Sequence, residues 1–302
     1  IKTSFMNKEL SKLTTIVIVT INGKILIDVL KKLQKKYKII IVENNNDKNF
    51  KKSIEENHPN IEVILPEKNL GFGAGNNIGL KKVTTPYALI LNPDVDIDIK
   101  NIETLEFYSK NINEFSILTL NSNSFKNIIE NKLDKFEPNF NFNENSNEEF
   151  TELPWVPGWC MFFKMNDIKQ LNYFDENIFL YFDELDLCKR FKKDNGKFYL
   201  LRNSLVKHEF HGTSKDLNKT KHLDHWKLRS WHFQWSSFYY HQKHYGFAKS
   251  ALVHVSKYFR YLIKRYYFLI LNNDEGYQLN KSKSDGILSS FFQKKSSYRV
   301  DL

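Results

Sequence analysis

The chain has 302 residues, 41% hydrophobic and 15% aromatic, with a formal net charge of +10. A chain of this size and apolar content buries a large core, which excludes a disordered or fibrous protein. The charge asks for an anionic partner: nucleic acid, a membrane face or an anionic substrate.

No run reaches the roughly 18 uncharged apolar residues that a membrane span requires. The segment Ile1–Leu13 lacks a signal peptide's apolar core. Only Cys160 and Cys188 are present and no CxxC occurs, which fits a reduced, cytosolic compartment and not a disulfide framework. A cytoplasmic protein, soluble or peripheral on the inner face of the membrane, is expected.

The continuous apolar run 15–20 predicts a buried parallel strand, and Ile25, Val29, Leu30 and Leu33 predict a helix within 24–37. A second strand over 38–43, a helix over 50–57, a strand over 61–65, a glycine-rich helix over 72–83 and a strand over 87–91 follow. A helix over 99–111 and a strand over 115–120 complete the series. Strand–helix alternation at this pitch predicts an α/β fold with a doubly wound sheet. Residues 121–154 are rich in Asn, Glu and Phe without a period, and predict a long variable loop. Order returns with a loop entering a strand at 155–164, a helix over 183–193, and short strands over 197–201 and 204–207. From about 223 to 271 the chain reads as helical, basic and aromatic, and from 272 onward as a loose polar tail. The implied organisation is a catalytic domain over 14–215, a helical extension over 216–272 and a tail over 273–302. The catalytic domain divides into a nucleotide-binding half (14–120), the variable loop (121–154) and an acceptor half (155–215).

The candidate site residues sit where these elements end. Thr20 and Asn22 follow the first strand and Glu43-Asn44 the second, where side chains can either meet a nucleobase or merely cap the next helix. In Asn69-Leu-Gly-Phe-Gly-Ala-Gly-Asn-Asn77, Gly71, Gly73 and Gly75 let backbone approach a ligand. Phe72, Asn76 and Asn77 open a helix whose free N–H groups suit ribose and phosphate oxygens. The spacing is not GxGxxG. Asn92-Pro-Asp94, with Asp96, ends an apolar strand in carboxylates, the hard oxygen ligands Mg²⁺ or Mn²⁺ prefers. Asp183 and Glu184 open a helix whose dipole favours their ionised form, as a general base needs, or as an ordinary cap shows. Trp155, Trp159, Phe179 and Tyr181 offer aromatic walls on which a sugar face can stack, and Gly158 stands among them as a further acceptor-side candidate. His208 and His211 flank Glu209 and make a metal ligand plausible, but His-Glu-Phe-His is not the zinc-protease HExxH.

Taken together, Thr20-Ile-Asn22, Val42-Glu-Asn44, the 69–77 run, Leu91-Asn-Pro-Asp94, Val156-Pro-Gly158, Phe174-Asp-Glu176, Phe179–Cys188 and His208 with Gly212 and Ser214 resemble an inverting family 2 glycosyltransferase of GT-A fold, most like the bacterial rhamnosyltransferase branch. The resemblance covers about residues 14–245. It implies a Rossmann-like, doubly wound mixed sheet with a C-terminal helical extension. It also implies Asn92 and Asp94 as the DXD equivalent, a divalent cation on Asp94 and His208, and Glu43 at the base-reading position. Glu184 would be the general base with Asp183 beside it; the family order is Glu then Asp, here reversed. A nucleotide-sugar donor, dTDP-rhamnose foremost, and a glycan or lipid-diphosphate-linked acceptor are the implied partners. Alternatives are a UDP-dependent galactofuranosyl or hexosyl transferase, or an inactive binder of sugar nucleotide or polyanion. Nucleic acid is not expected, because no zinc spacing, helix-turn-helix or RNP-like segment is present. The basic, apolar stretch 257–271 either packs on the catalytic domain or a second subunit or lies in an anionic interface.

Overall fold

The computed structural model describes residues 11–21, 23–123, 125–130, 134–143, 145–208 and 219–300. Four parallel strands form one side of a mixed sheet: β1 (Thr14–Thr20), β2 (Lys38–Glu43), β3 (Ile61–Ile64) and β4 (Tyr87–Leu91). Two short strands and three longer ones extend it: β5 (Val95–Asp96), β6 (Ile117–Ser122), β7 (Phe150–Glu152), β8 (Cys160–Lys164) and β9 (Phe198–His208). The order is β3-β2-β1-β4-β8-β6-β9-β5, with β7 on β9. β1, β2 and β4 are almost wholly buried, as expected of parallel strands covered on both faces. Helices α1 (Ile27–Leu33), α2 (Lys48–Asn57), α3 (Phe72–Lys81) and α4 (Ile99–Asn111) make the crossovers.

β8 runs antiparallel to both β4 and β6, and β6 runs parallel to β9. The carboxyl ends of β1, β2, β4, β6 and β9 therefore share one sheet edge, and the start of β8 joins them. That edge is where open α/β sheets bind ligands.

Three stretches depart from the sequence-based expectation. The two strands predicted over 197–207 are one strand, β9, whose register with β6 slips between Leu120 and Asn121. The irregularity lets its end leave β6 and pair with β5. The 121–154 segment is more than a loop. α5 (Phe125–Ile129) and β7 fall within it, and Phe125, Ile129, Phe142 and Leu153 pack into the core. α6 (Met165–Gln170) follows β8, and α7 is Asp183–Lys193.

The C-terminal region is three helices, α8 (Lys219–Tyr245), α9 (Phe247–Ile270) and α10 (Asp274–Phe291). Gly246, at φ +89°, separates the first two. The polar tail predicted from 273 is in fact α10. Its Ser282, Ser284, Gly286 and Ser290 are buried, and a Cβ on Gly286 would lie 2.4 Å from the Trp231 carbonyl oxygen. Small residues let this helix lie close against α8, so a segment that looks hydrophilic is a packing face.

Candidate active site

The strand ends at the carboxyl edge surround a cleft of about 320 Å³. Thr20, Asn44, Asn69, Gly71, Phe72, Asn92, Asp94, Tyr181 and His208 all line it. Asp94 follows β4 directly and precedes β5, which pairs Val95 with His208 and Asp96 with Lys207 of β9. That register brings His208 Nε2 to 3.3 Å from Asp94 Oδ1. Below the pair, the Trp159 ring stacks on the His208 ring, centroids 5.3 Å apart. The Asn92 N–H donates to the Trp159 carbonyl at 2.9 Å, fixing the β4 end against the start of β8.

The glycine-rich bend is clamped from both sides. Asn44 donates from Nδ2 to the Gly71 carbonyl (3.1 Å) and accepts the Leu70 N–H (3.3 Å). Asn69 Oδ1 accepts the Gly71 N–H at 2.9 Å. The Phe72 N–H donates to the Phe179 carbonyl at 3.0 Å. Gly71 has φ +82°, and a Cβ there would stand 1.9 Å from that same carbonyl oxygen, so no other residue fits.

Asp183 and Glu184, at the start of α7, differ in environment. Asp183 is fully buried and its Oδ1 accepts the Gly73 N–H at 3.1 Å. Burial, with Glu184 beside it, pushes its carboxyl well above the ordinary value. Glu184 is only half-buried, lies against Gly158, and is raised by burial to about 6. The turn before them holds Tyr181 at φ 65° and Phe182 at φ 67°. Two successive bulky residues in the left-handed region store strain that the surrounding packing must hold.

Several expected site residues stand elsewhere. Both Glu43 oxygens accept backbone N–H groups of its own turn, from Asn45 (3.2 Å) and Asp47 (2.7 Å). The side chain is buried and does not line the cleft. Asp96 is exposed and ion-paired with Lys32 at 3.1 Å, so it leaves the metal set. Gly73, Gly75, Asn76 and Asn77 are buried beneath the bend. Asn77 ties α3 to the Phe174 backbone in both directions at 3.0 Å. Trp155 faces a separate small hollow with Pro154, Leu185 and Tyr240. Gly158 sits under the Phe72 ring, and Trp159 is buried. Asn22, His211, Gly212 and Ser214 lie outside the described residues.

The C-terminal region also reaches the cleft, through His225, Leu228 and Arg229 of α8, which the strand-end motifs do not predict. The Arg229 Nε donates to the Tyr181 hydroxyl, and its guanidinium stands 5.1 Å from the Trp226 ring centroid. The basic-aromatic texture of 226–244 was the only signal that could have found them. The other end of α8 holds α7. His244 Nε2 (2.8 Å) and Lys243 Nζ (2.6 Å) meet Asp186 Oδ1, and Arg190 Nε meets Oδ2 at 2.9 Å. Burial alone would raise Asp186, but these partners hold it down to about 2.

Whether the cleft suits a divalent ion can be tested on its own atoms. Asp94 lines the cleft, and its Oδ1 is buried and accepts no hydrogen bond, 3.3 Å from the His208 Nε2. Among the described residues no cluster of three or more His, Cys, Asp and Glu exists. One carboxylate and one imidazole fit an ion that takes its other ligands from diphosphate oxygens and water.

Residues 15–171 match the family model described as Glycosyl transferase family 2. The chain is 24% identical over 179 residues to the low-salt glycan biosynthesis hexosyltransferase Agl10 of Haloferax volcanii, covering 52% of this chain and 53% of that protein. It is 26% identical over 172 residues to rhamnosyltransferase WbbL of Escherichia coli, covering 50% of this chain and 65% of that protein. It thus spans about half the length of the first relative and under two thirds of the second. In fold it is similar to the mannosyltransferase PcManGT of Pyrobaculum calidifontis, solved with GDP-Man and Mn²⁺ (TM-score 0.55, 11% identity, 93% of this chain and 88% of that one). It is also similar to GalNAc-T7, solved with UDP, GalNAc and Mn²⁺ (TM-score 0.52, 12% identity, 65% and 43%). With the GT-A fold of those neighbours and the family pattern over the first half of its sequence, this chain belongs to glycosyl transferase family 2.

Proposed function

We propose that the chain is an inverting, metal-dependent glycosyltransferase that moves a sugar, rhamnose from dTDP-rhamnose foremost, onto a glycan or lipid-diphosphate-linked glycan of a surface polysaccharide. The observation that carries this reading is the meeting of Asp94 and His208 beside the Gly71 bend in one cleft. Thr20, Asn44 and Asn69, on the cleft wall, provide polar groups for a nucleoside and ribose, whereas the first N–H groups of α3 are spent on the Phe179 carbonyl and Asp183. Asp94 and His208 would hold Mg²⁺ or Mn²⁺, whose charge offsets that of the departing diphosphate.

Glu184 is the general base of this proposal. Its carboxylate takes the proton of an acceptor hydroxyl, and the hydroxyl oxygen bonds to the anomeric carbon. The bond to the diphosphate breaks on the opposite face, the nucleoside diphosphate leaves with the electron pair, and the configuration inverts. Asp183, buried and bonded to Gly73, positions the bend. Tyr181 and Arg229 form the wall nearest the acceptor.

A UDP-dependent hexosyl or galactofuranosyl transfer is the second reading, favoured by the likeness to a hexosyltransferase and by the engagement of Glu43 within its own turn. A thermal-shift panel of dTDP-, UDP- and GDP-sugars with Mg²⁺ or Mn²⁺ separates the two, since a true donor stabilises the fold by mass action. Absence of a metal-dependent shift with every sugar nucleotide would overturn the transferase reading.

A further inference from the structure

α9 is the least satisfied element of the molecule. At 3.6 residues per turn, Leu252, Val255, Phe259, Ile263, Tyr266 and Ile270 fall along one line of its surface. All six are exposed, Leu252 by 74%, Ile263 by 70% and Ile270 by 79%. Phe291 and Phe292 of the α10 end add to the patch. Val255, Phe259, Leu288 and Phe291 together line an apolar groove of about 230 Å³ between α9 and α10. An apolar strip of this length is unusual on a surface that meets only water.

The charges on α9 are of one sign. Its 24 residues contain Lys249, Lys257, Arg260, Lys264 and Arg265 and no Asp or Glu. Lys249, Arg260 and Lys264 are exposed and lie along one flank of the apolar line. Arg265 turns inward to the Tyr277 hydroxyl of α10 at 3.2 Å. Tyr266 and Tyr267 stand exposed near the helix end, amphipathic rings suited to a headgroup layer. Among the described residues no helix is long and apolar enough to cross a membrane.

We propose that this face of α9 is a docking surface for an anionic lipid bilayer, with the helix lying in the interface plane. The apolar line would enter the acyl boundary, and the flanking cations would meet lipid phosphates. A second copy of the chain is the weaker occupant. A two-fold contact through this face would set the same uncompensated cations against their own copies. The inference concerns attachment and does not depend on which sugar, if any, the cleft transfers.

Flotation of the full chain with vesicles tests it. Binding is expected to phosphatidylglycerol–phosphatidylcholine vesicles and to be far weaker with phosphatidylcholine alone. It should fall when salt is raised to about 0.5 M, where the Debye length is only a few ångströms. The triple variant Leu252→Glu, Ile263→Glu, Ile270→Glu should lose at least about tenfold in partitioning, with an unchanged circular-dichroism melting temperature, because its three sites are exposed. Lys249→Glu, Arg260→Glu, Lys264→Glu should lose the preference for anionic vesicles. Absence of binding to the anionic vesicles would overturn the proposal. So would wild-type partitioning by the first variant, or a dimer that the first variant turns into monomer.

Discussion

Val95 pairs with His208 across a two-residue strand, and that pairing alone sets the His208 imidazole 3.3 Å from the Asp94 carboxylate. The two residues are far apart in sequence, and the slipped register of β9 against β6 is what carries the histidine to the cleft. Asp94→Ala is expected to abolish the metal-dependent stabilisation by nucleoside diphosphate and to lower turnover on the order of a hundredfold or more. Asp96→Ala should leave both intact, because Asp96 pairs with Lys32 outside the cleft. Thermal shift with and without Mn²⁺, beside donor hydrolysis, checks the pair.

Burial raises Glu184 to about 6, and a base must be ionised to accept a proton. Turnover should therefore be low below that pH, rise through it and level off above. Glu184→Gln should cost about 10²–10⁴ in turnover with donor binding retained. Asp183→Asn keeps an oxygen for the Gly73 N–H and should retain turnover within a few-fold. Equal loss in both variants would remove Glu184 from its assigned role. Rate against pH for the three proteins, with donor binding measured in parallel, decides it.

Asp186 is held down to about 2 by His244, Arg190 and Lys243 against the effect of its own burial. An unfolded aspartate titrates near 3.9. The group's stabilisation is thus complete above about pH 4 and is lost as pH falls toward about 2. Asp186→Asn leaves Arg190 and Lys243 facing a neutral amide and should cost about 3–5 kcal/mol at neutral pH. Urea unfolding at neutral and acid pH should show the difference between wild type and variant shrinking with acidification.

Gly71→Ala would place a methyl group 1.9 Å from the Phe179 carbonyl oxygen at a left-handed φ. The backbone strain alone is worth about 1–3 kcal/mol, and the bend would have to move away from Phe179. A lower melting temperature with loss of donor-induced stabilisation is expected. Gly246→Ala, also at positive φ but with open space around it, should lower the melting temperature without touching donor binding.

The strand ends at Thr20, Asn44 and Asp94 were legible because an apolar run broken by Asn, Pro or Asp leaves few other structures. The bend at 69–75 was legible for the same local reason. What the sequence concealed depends on distant partners. Glu43 looked available for a ligand until the Asn45 and Asp47 N–H groups claimed its oxygens. Trp155 and Trp159 looked equivalent, yet one faces a side hollow and the other lies under His208. His225 and Arg229 could not be assigned to the cleft, since only the docking of α8 against Tyr181 brings them there. The α10 sequence carries no hydrophobic signal because it is rich in Ser and polar residues, although the smallness of Ser and Gly is what admits close helix packing.

α8 touches both of the proposed chemical centres, the donor cleft through His225, Leu228 and Arg229 and the Glu184 helix through Lys243 and His244. None of these residues falls within the stretch that carries the family pattern. A change in this one helix would be felt at the proposed donor cleft and at the Glu184 helix together.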